Sequence, residues 1–153
     1  MLPSWLIIGG VTFLIGLGSS ILRPKDIKWF NRLQRPRWLT FEKAIPIIWT
    51  IVFICGAWSA YIVWEKTQNW QLMAFYALVE ITIVAYSPVL LWTRSLLNGT
   101  IIGGFGFILG LVLTAFVLQI SGTAALLLVP YLLWSPIGTY ATWAIGQLNP
   151  ESL

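Results

Sequence analysis

"LNGTIIGGFGFILGLVLTAFVLQI", residues 97–120, contains no Asp, Glu, Lys or Arg. A helix rising 1.5 Å per residue needs about 20 apolar residues to cross the ~30 Å hydrocarbon core of a bilayer, so this stretch reads as a membrane span. Four other stretches meet the same requirement: residues 2–22, 44–64, 71–92 and 124–148. The first has no basic segment before it and is too long for the apolar part of a signal peptide, so it is read as a span as well. The expectation is a single domain over residues 1–153: an all-α, five-helix transmembrane bundle.

Composition supports that class. The chain is 58% hydrophobic and 9% charged, where soluble domains carry about 25% charged residues. Connections such as "EKTQNW", "TRSLLN" and "SGT" are short, so consecutive spans are expected as antiparallel neighbours. Pro46, Pro88, Pro130 and Pro136 fall in or near the ends of spans, which a bundle tolerates because neighbouring helices satisfy the freed carbonyls. Gly99, Gly103, Gly106 and Gly110 recur every three or four residues on the fourth span. Such a stripe lets two backbones approach, either within the bundle or between two protomers.

Seven of the nine cations lie between Arg23 and Lys43. With Arg94, they place eight on the side of the first and third connections, against Lys66 on the other side. The positive-inside rule therefore puts the C-terminus in the cytoplasm and the N-terminus outside. The band of charge belongs to one loop, residues 23–43, and does not mark nucleic acid as a partner. Within it, "WFNRLQRPRWLTFEK" (29–43) sets Arg32, Arg35, Arg37 and Lys43 among Trp29, Phe30, Trp38 and Phe41. Two readings fit: an interfacial aromatic belt with topology-setting cations, or a proline-stiffened lid over a pocket. Among the other tryptophans, Trp5, Trp64, Trp70 and Trp92 sit near span ends, as belt residues do.

The sequence has no histidine and one cysteine, Cys55. No intrachain disulfide is possible, and the commonest haem and metal ligand is missing. No set of acid, nucleophile and metal ligands supports conventional catalysis. Glu80 lies near the middle of the third span, where an ionised carboxylate costs about 2.5–3.5 kcal/mol on insertion scales, so it must face inward. It serves either as a structural hydrogen-bond partner of a neighbouring helix, through a Thr or Trp, or as a polar contact at a pocket floor.

Two separated motifs carry a family resemblance. Trp29, Leu33, Arg35, Pro36, Trp38, Trp49, Tyr61 and Trp64 fall on one pattern, and Ala124, Ala125, Leu127, Pro130, Tyr131 and Trp134 on another. Both resemble the translocator protein family (TspO/MBR), and the likeness covers nearly the whole chain. Departures are local. Thr40-Phe41 replaces a Pro-Pro pair, and Ile83 and Tyr86 replace the Asn and Trp of the third span. Gly138 stands where alanine is usual, and Trp143 and Gln147 stand where animal members have the Tyr and Arg of a sterol motif.

The resemblance implies a membrane protein, often a homodimer, that binds porphyrin, haem or bilin, with sterol in some members. No cofactor is obligatory, and lipid is a partner by location. A flat tetrapyrrole needs aromatic walls and a cation for its acidic substituents. The ligand-binding residues implied are Trp29, Arg35, Arg37, Trp38, Trp49, Glu80, Tyr131, Trp134 and Gly138. Trp134 and Trp143 are nine residues apart on one helix, so only one of them faces a cavity. Haem iron would need Cys55, Met73, a tyrosine or water, which makes a metal-free porphyrin or a bilin the easier ligand. Two alternatives remain at this level: light-dependent porphyrin breakdown through a tryptophan radical, and a membrane assembly partner using the glycine face.

Overall fold

The computed structural model describes residues 2–20 and 22–153; Met1 and Ile21, both inside the expected domain and Ile21 inside the first expected span, lie outside the described residues. The described chain is helical: α1 (Ser4–Leu17), α2 (Pro24–Asn31), α3 (Ile45–Thr67), α4 (Trp70–Thr93), α5 (Leu96–Leu118), α6 (Gly122–Leu126) and α7 (Val129–Leu148). Four segments are long and apolar enough to cross a membrane: Glu42–Thr67, Trp70–Thr93, Leu96–Leu118 and Gly122–Leu148. The expected first span is a shorter helix, α1 with 14 residues, which passes into a tight turn at Gly18–Ser20.

Local chemistry explains the ends. Asn69 accepts from the backbone N–H groups of Gln71 and Leu72 to cap α4, and Ser95 and Ser121 cap α5 and α6 in the same manner. The last span is broken between α6 and α7, because Pro130 has no N–H to donate and its ring crowds the carbonyl four residues earlier. The segment 23–43, read as a loop, contains helix α2. Arg23 is extended before it, Pro24 opens it and Asp26 sits in its first turn, three start signals in a row.

Consecutive spans are in contact, as expected, and non-consecutive neighbours are added to them. α5 packs between α4 and α7, as short connections require, but α1 lies against both α3 and α4, and those two make few contacts with each other. Polar pairs tie the helices where no water competes. The Thr12 hydroxyl of α1 donates to Glu80 Oε1 of α4 at 2.9 Å. Ser59 of α3 lies 2.6 Å from the Tyr76 hydroxyl and donates to the Ala124 carbonyl at 2.7 Å.

The outer surface is apolar. Ile47, Ile51, Ile54 and Trp58 are exposed along α3, and Ile101, Phe105, Ile108 and Phe116 along α5. The inner face of α5 is the glycine stripe, and it packs within this chain. A methyl group at Gly110 would lie 2.6 Å from the Tyr131 ring, and one at Gly103 would lie 2.5 Å from the Thr139 hydroxyl, whereas Gly104 has open space around it. The tyrosine ring is fixed by its neighbours and cannot yield as a flexible chain end would. Gly110→Ala is therefore expected to lower stability by about 1–3 kcal/mol. Gly104→Ala, in contact with nothing, should keep or slightly raise the thermal midpoint in detergent, since alanine is the better helix former; equal midpoints for the two variants would refute this packing.

Candidate ligand cavity

Two buried clusters divide the bundle. One holds Val52, Val63, Tyr76, Leu113, Val117 and Ala124, and the other holds Leu39, Leu90, Leu96, Ala141 and Ile145. A cavity of about 280 Å³ lies on the side of the second, walled by α3, α4, α5, α7 and the 23–43 segment.

Helical spacing builds its walls. Ile83, Tyr86, Ser87 and Leu90 fall on one face of α4, and Tyr131, Trp134, Gly138 and Thr142 on one face of α7. Trp49 and Trp134 meet edge to face, with centroids 6.3 Å apart at 90°, and Phe41 meets Trp134 at 6.2 Å and 77°. The Trp134 side chain is 7% exposed, and among the described residues its indole N–H has no hydrogen-bond partner. Tyr86 and Thr142 hydrogen-bond across the cavity wall, and Thr142 donates on to the Gly138 carbonyl at 2.9 Å. The segment 23–43 contributes Phe30 and Leu39, and Glu42 beyond α2 is the charged residue among those lining the cavity.

Of the residues expected at a binding site, Trp49, Tyr131, Trp134 and Gly138 line this cavity. The other five stand outside it. Trp29 is half-buried beside Phe30. Trp38 is 43% exposed and stacks at 5.7 Å on Tyr140, which in turn meets Trp143, so these rings form an outer ladder. Arg35 is occupied: its Nε donates to Glu42 at 2.8 Å, its Nη1 donates to the carbonyls of Phe30 and Leu33, and its guanidinium lies 4.5 Å over the Phe30 ring. Arg37 is exposed. Glu80 faces inward, and its carboxylate is bound by Thr12, away from the cavity. Ser87, Thr142, Leu39 and Glu42 also line the cavity without being singled out by the sequence, which marks Phe30 only as a lid or belt aromatic and Tyr86 only as a motif departure. The α4 residues carried a signal, since positions 83, 86, 87 and 90 repeat at helical spacing.

Two clamps hold the lid down. Asp26, 1% exposed, accepts from Arg23 Nε at 2.6 Å and from Arg94 Nε at 3.0 Å, which fixes α2 to the end of α4. Asn149, just beyond α7, receives the Gln34 N–H at 3.0 Å and donates back to the Gln34 carbonyl at 3.0 Å. This reciprocal amide pair fixes the lid to α7.

Apolar faces turned outward on every long helix make this a multi-pass integral membrane protein, one with an aromatic cavity beneath a clamped segment. Comparison with known proteins supplies the family. The TspO/MBR family model matches residues 7–148, and the chain belongs to that family. It is 29% identical to the tryptophan-rich protein TspO of Bacillus cereus, over 97% of this chain and 99% of that one. It is 30% identical to the uncharacterized membrane protein YtaB of Bacillus subtilis, over 91% and 92% of the two chains. Identity to the human translocator protein is 25%, over 97% and 94%.

Burial pushes the Asp26 carboxyl upward, but the hydrogen bonds and charges of Arg23 and Arg94 outweigh it and hold the group below the usual carboxylate range. A depressed folded value means that the clamp contributes its full stability above the unfolded pKa of about 3.9 and loses it as the pH falls through the lower folded value. Asp26→Asn is expected to melt earlier at neutral pH and to show a smaller acid-induced loss than the unmodified protein. Parallel acid dependence of the two melting curves would contradict the clamp.

Proposed function

We propose that the chain is a tetrapyrrole-binding protein of the translocator type, which takes porphyrin or bilin into the cavity beneath the lid for sequestration, transport or stress regulation. The observation that carries this reading is the aromatic corner of Trp49, Trp134 and Phe41, closed by a separate polar-edged segment, in a chain of this family. Edge-to-face indoles leave ring faces for a flat π system, with each good aromatic contact contributing about 0.5–1.5 kcal/mol beyond burial.

The cavity is small for this ligand. Its volume of about 280 Å³ lies just below the roughly 300–1,000 Å³ of ligand pockets. A whole macrocycle enters only with the lid displaced, and the apolar edge of the ring goes in first. Glu42 neutralises Arg35, so acidic substituents are best met at the mouth by Arg37, two residues from the cavity-lining Leu39. Cys55 and Met73 are not among the lining residues, and of the two lining tyrosines Tyr86 is hydrogen-bonded to Thr142 and Tyr131 is packed against the α5 glycines, which keeps metal-free porphyrin and bilin ahead of haem.

In the membrane, α1 and its terminal turn reach about 27 Å at 1.5 and 2.0 Å per residue, enough to complete a fifth crossing in a slightly thinned bilayer. The basic side then faces the cytoplasm, with the N-terminus outside. The protein works as a homodimer through a face other than the glycine stripe, which α7 and α4 already occupy.

Protoporphyrin titration in nanodiscs, followed by tryptophan fluorescence, tests the assignment. Saturable quenching is expected. Trp49→Ala combined with Trp134→Ala should weaken it at least about tenfold, as the loss of two stacking walls implies. Trp38→Ala, on the outer ladder, and Glu80→Gln, held by Thr12, should each change affinity by less than about twofold, well under 1 kcal/mol. Unsaturable quenching, or equal losses in all the variants, would remove the cavity as the binding site.

A further inference from the structure

The lid helix has an outer face that the cavity does not use. Lys25, Lys28 and Arg32 recur at three- and four-residue spacing on and just after α2, within about 60° of arc at 100° per residue. All three are exposed, while Asp26 on the inner side is buried and Phe30 and Leu33 pack against the Leu39–Leu90–Leu96 cluster. The acids that could neutralise them are committed. Asp26 holds Arg23 and Arg94, and Glu42 holds Arg35. Glu65 and Glu80 engage Ser4 and Thr12. Among the described residues, Lys25, Lys28, Arg32 and the exposed Lys43 have no acidic partner, and Glu151 at the same end of the bundle bridges to none of them.

Position identifies the occupant. The clamps to Arg94 and Asn149 hold α2 where α4 and α7 end, which is headgroup depth for this side of the bundle. Beside the cations, Ile27 is exposed and Trp29 half-buried, the mixture of an interfacial amphipathic helix. We propose that the outer face of α2 is an anionic-phospholipid site, where Lys25, Lys28 and Arg32, extended by Lys43, bind the phosphate headgroups of the leaflet at this end of the bundle. Topology alone requires cations on this side but not their gathering on one unpaired face of a helix anchored at that depth. The site does not depend on what the cavity binds.

Electron paramagnetic resonance of spin-labelled phosphatidylglycerol and phosphatidylcholine, each added to the protein in phosphatidylcholine vesicles, measures the relative association of the two lipids. The anionic lipid is expected to associate at least about fivefold more strongly, the equivalent of one cation meeting an anionic surface, and the preference should fall as salt is raised. Lys25→Gln, Lys28→Gln and Arg32→Gln combined should abolish it, whereas Lys66→Gln on the opposite side should leave it intact. These positions are exposed, and circular dichroism of the triple variant checks that the bundle remains. Equal association of the two lipids, or a preference that survives the triple substitution, overturns the proposal. Retention on heparin from neutral nanodiscs without any lipid preference would assign the face to a soluble polyanion and overturn it too.

Discussion

A carboxylate buried at the end of an apolar bundle stays ionised only when cations meet it, and Asp26 is met by two. Arg23 is the extended residue before α2 and Arg94 comes from the end of α4, so one side chain joins the segment after the first helix to a helix more than 60 residues on. Asn149 does the same from the other side with a neutral amide pair. The chain between these clamps has little choice of path. It places Phe30 over the open end of the bundle and sets the course of the following residues, Leu39 and Glu42, so that the space beneath them becomes a cavity instead of a groove.

Beneath the lid, close backbone packing sets the size of that space. Gly103, Gly106 and Gly110 bring α5 so near α7 that Thr139 and Tyr131 rest on the α5 backbone. The Tyr131 ring fills the lower part, and Trp134, a turn nearer the lid, meets Trp49 edge to face. A stripe of small residues on one helix therefore fixes where the aromatic residues of another can stand. Thr12 and Glu80 make a separate tie between α1 and α4, which gives the mid-span carboxylate a partner without involving the cavity.

Much of this was legible in the sequence, and the failures have physical causes. Residues 97–120 and the other long stretches declared themselves by length and lack of charge, and Trp49, Tyr131, Trp134 and Gly138 reach the cavity because helical spacing fixes a face. Helix α2 was not expected, since a run dense in cations reads as a loop, although Pro24 and Asp26 were its start signals. Arg35 and Trp38 could not be placed from pattern. Each is taken by a tertiary neighbour, Glu42 in one case and Tyr140 in the other, and nothing local in the sequence announces such pairings. The packing of α1 on α4 as well as on α3 is of the same kind, because connection lengths limit only consecutive elements.

The Gln34 backbone amide reports the lid directly, because it donates to the Asn149 side chain, 115 positions away in the chain. Its hydrogen exchange in nanodiscs, measured by NMR, is expected to be slower than in an unstructured peptide by at least about tenfold, which corresponds to about 1.4 kcal/mol of local opening, and to speed up in Asn149→Ala. Exchange at the unstructured rate in the intact protein, unaltered by that substitution, would mean that the segment lies free along the headgroups and encloses nothing.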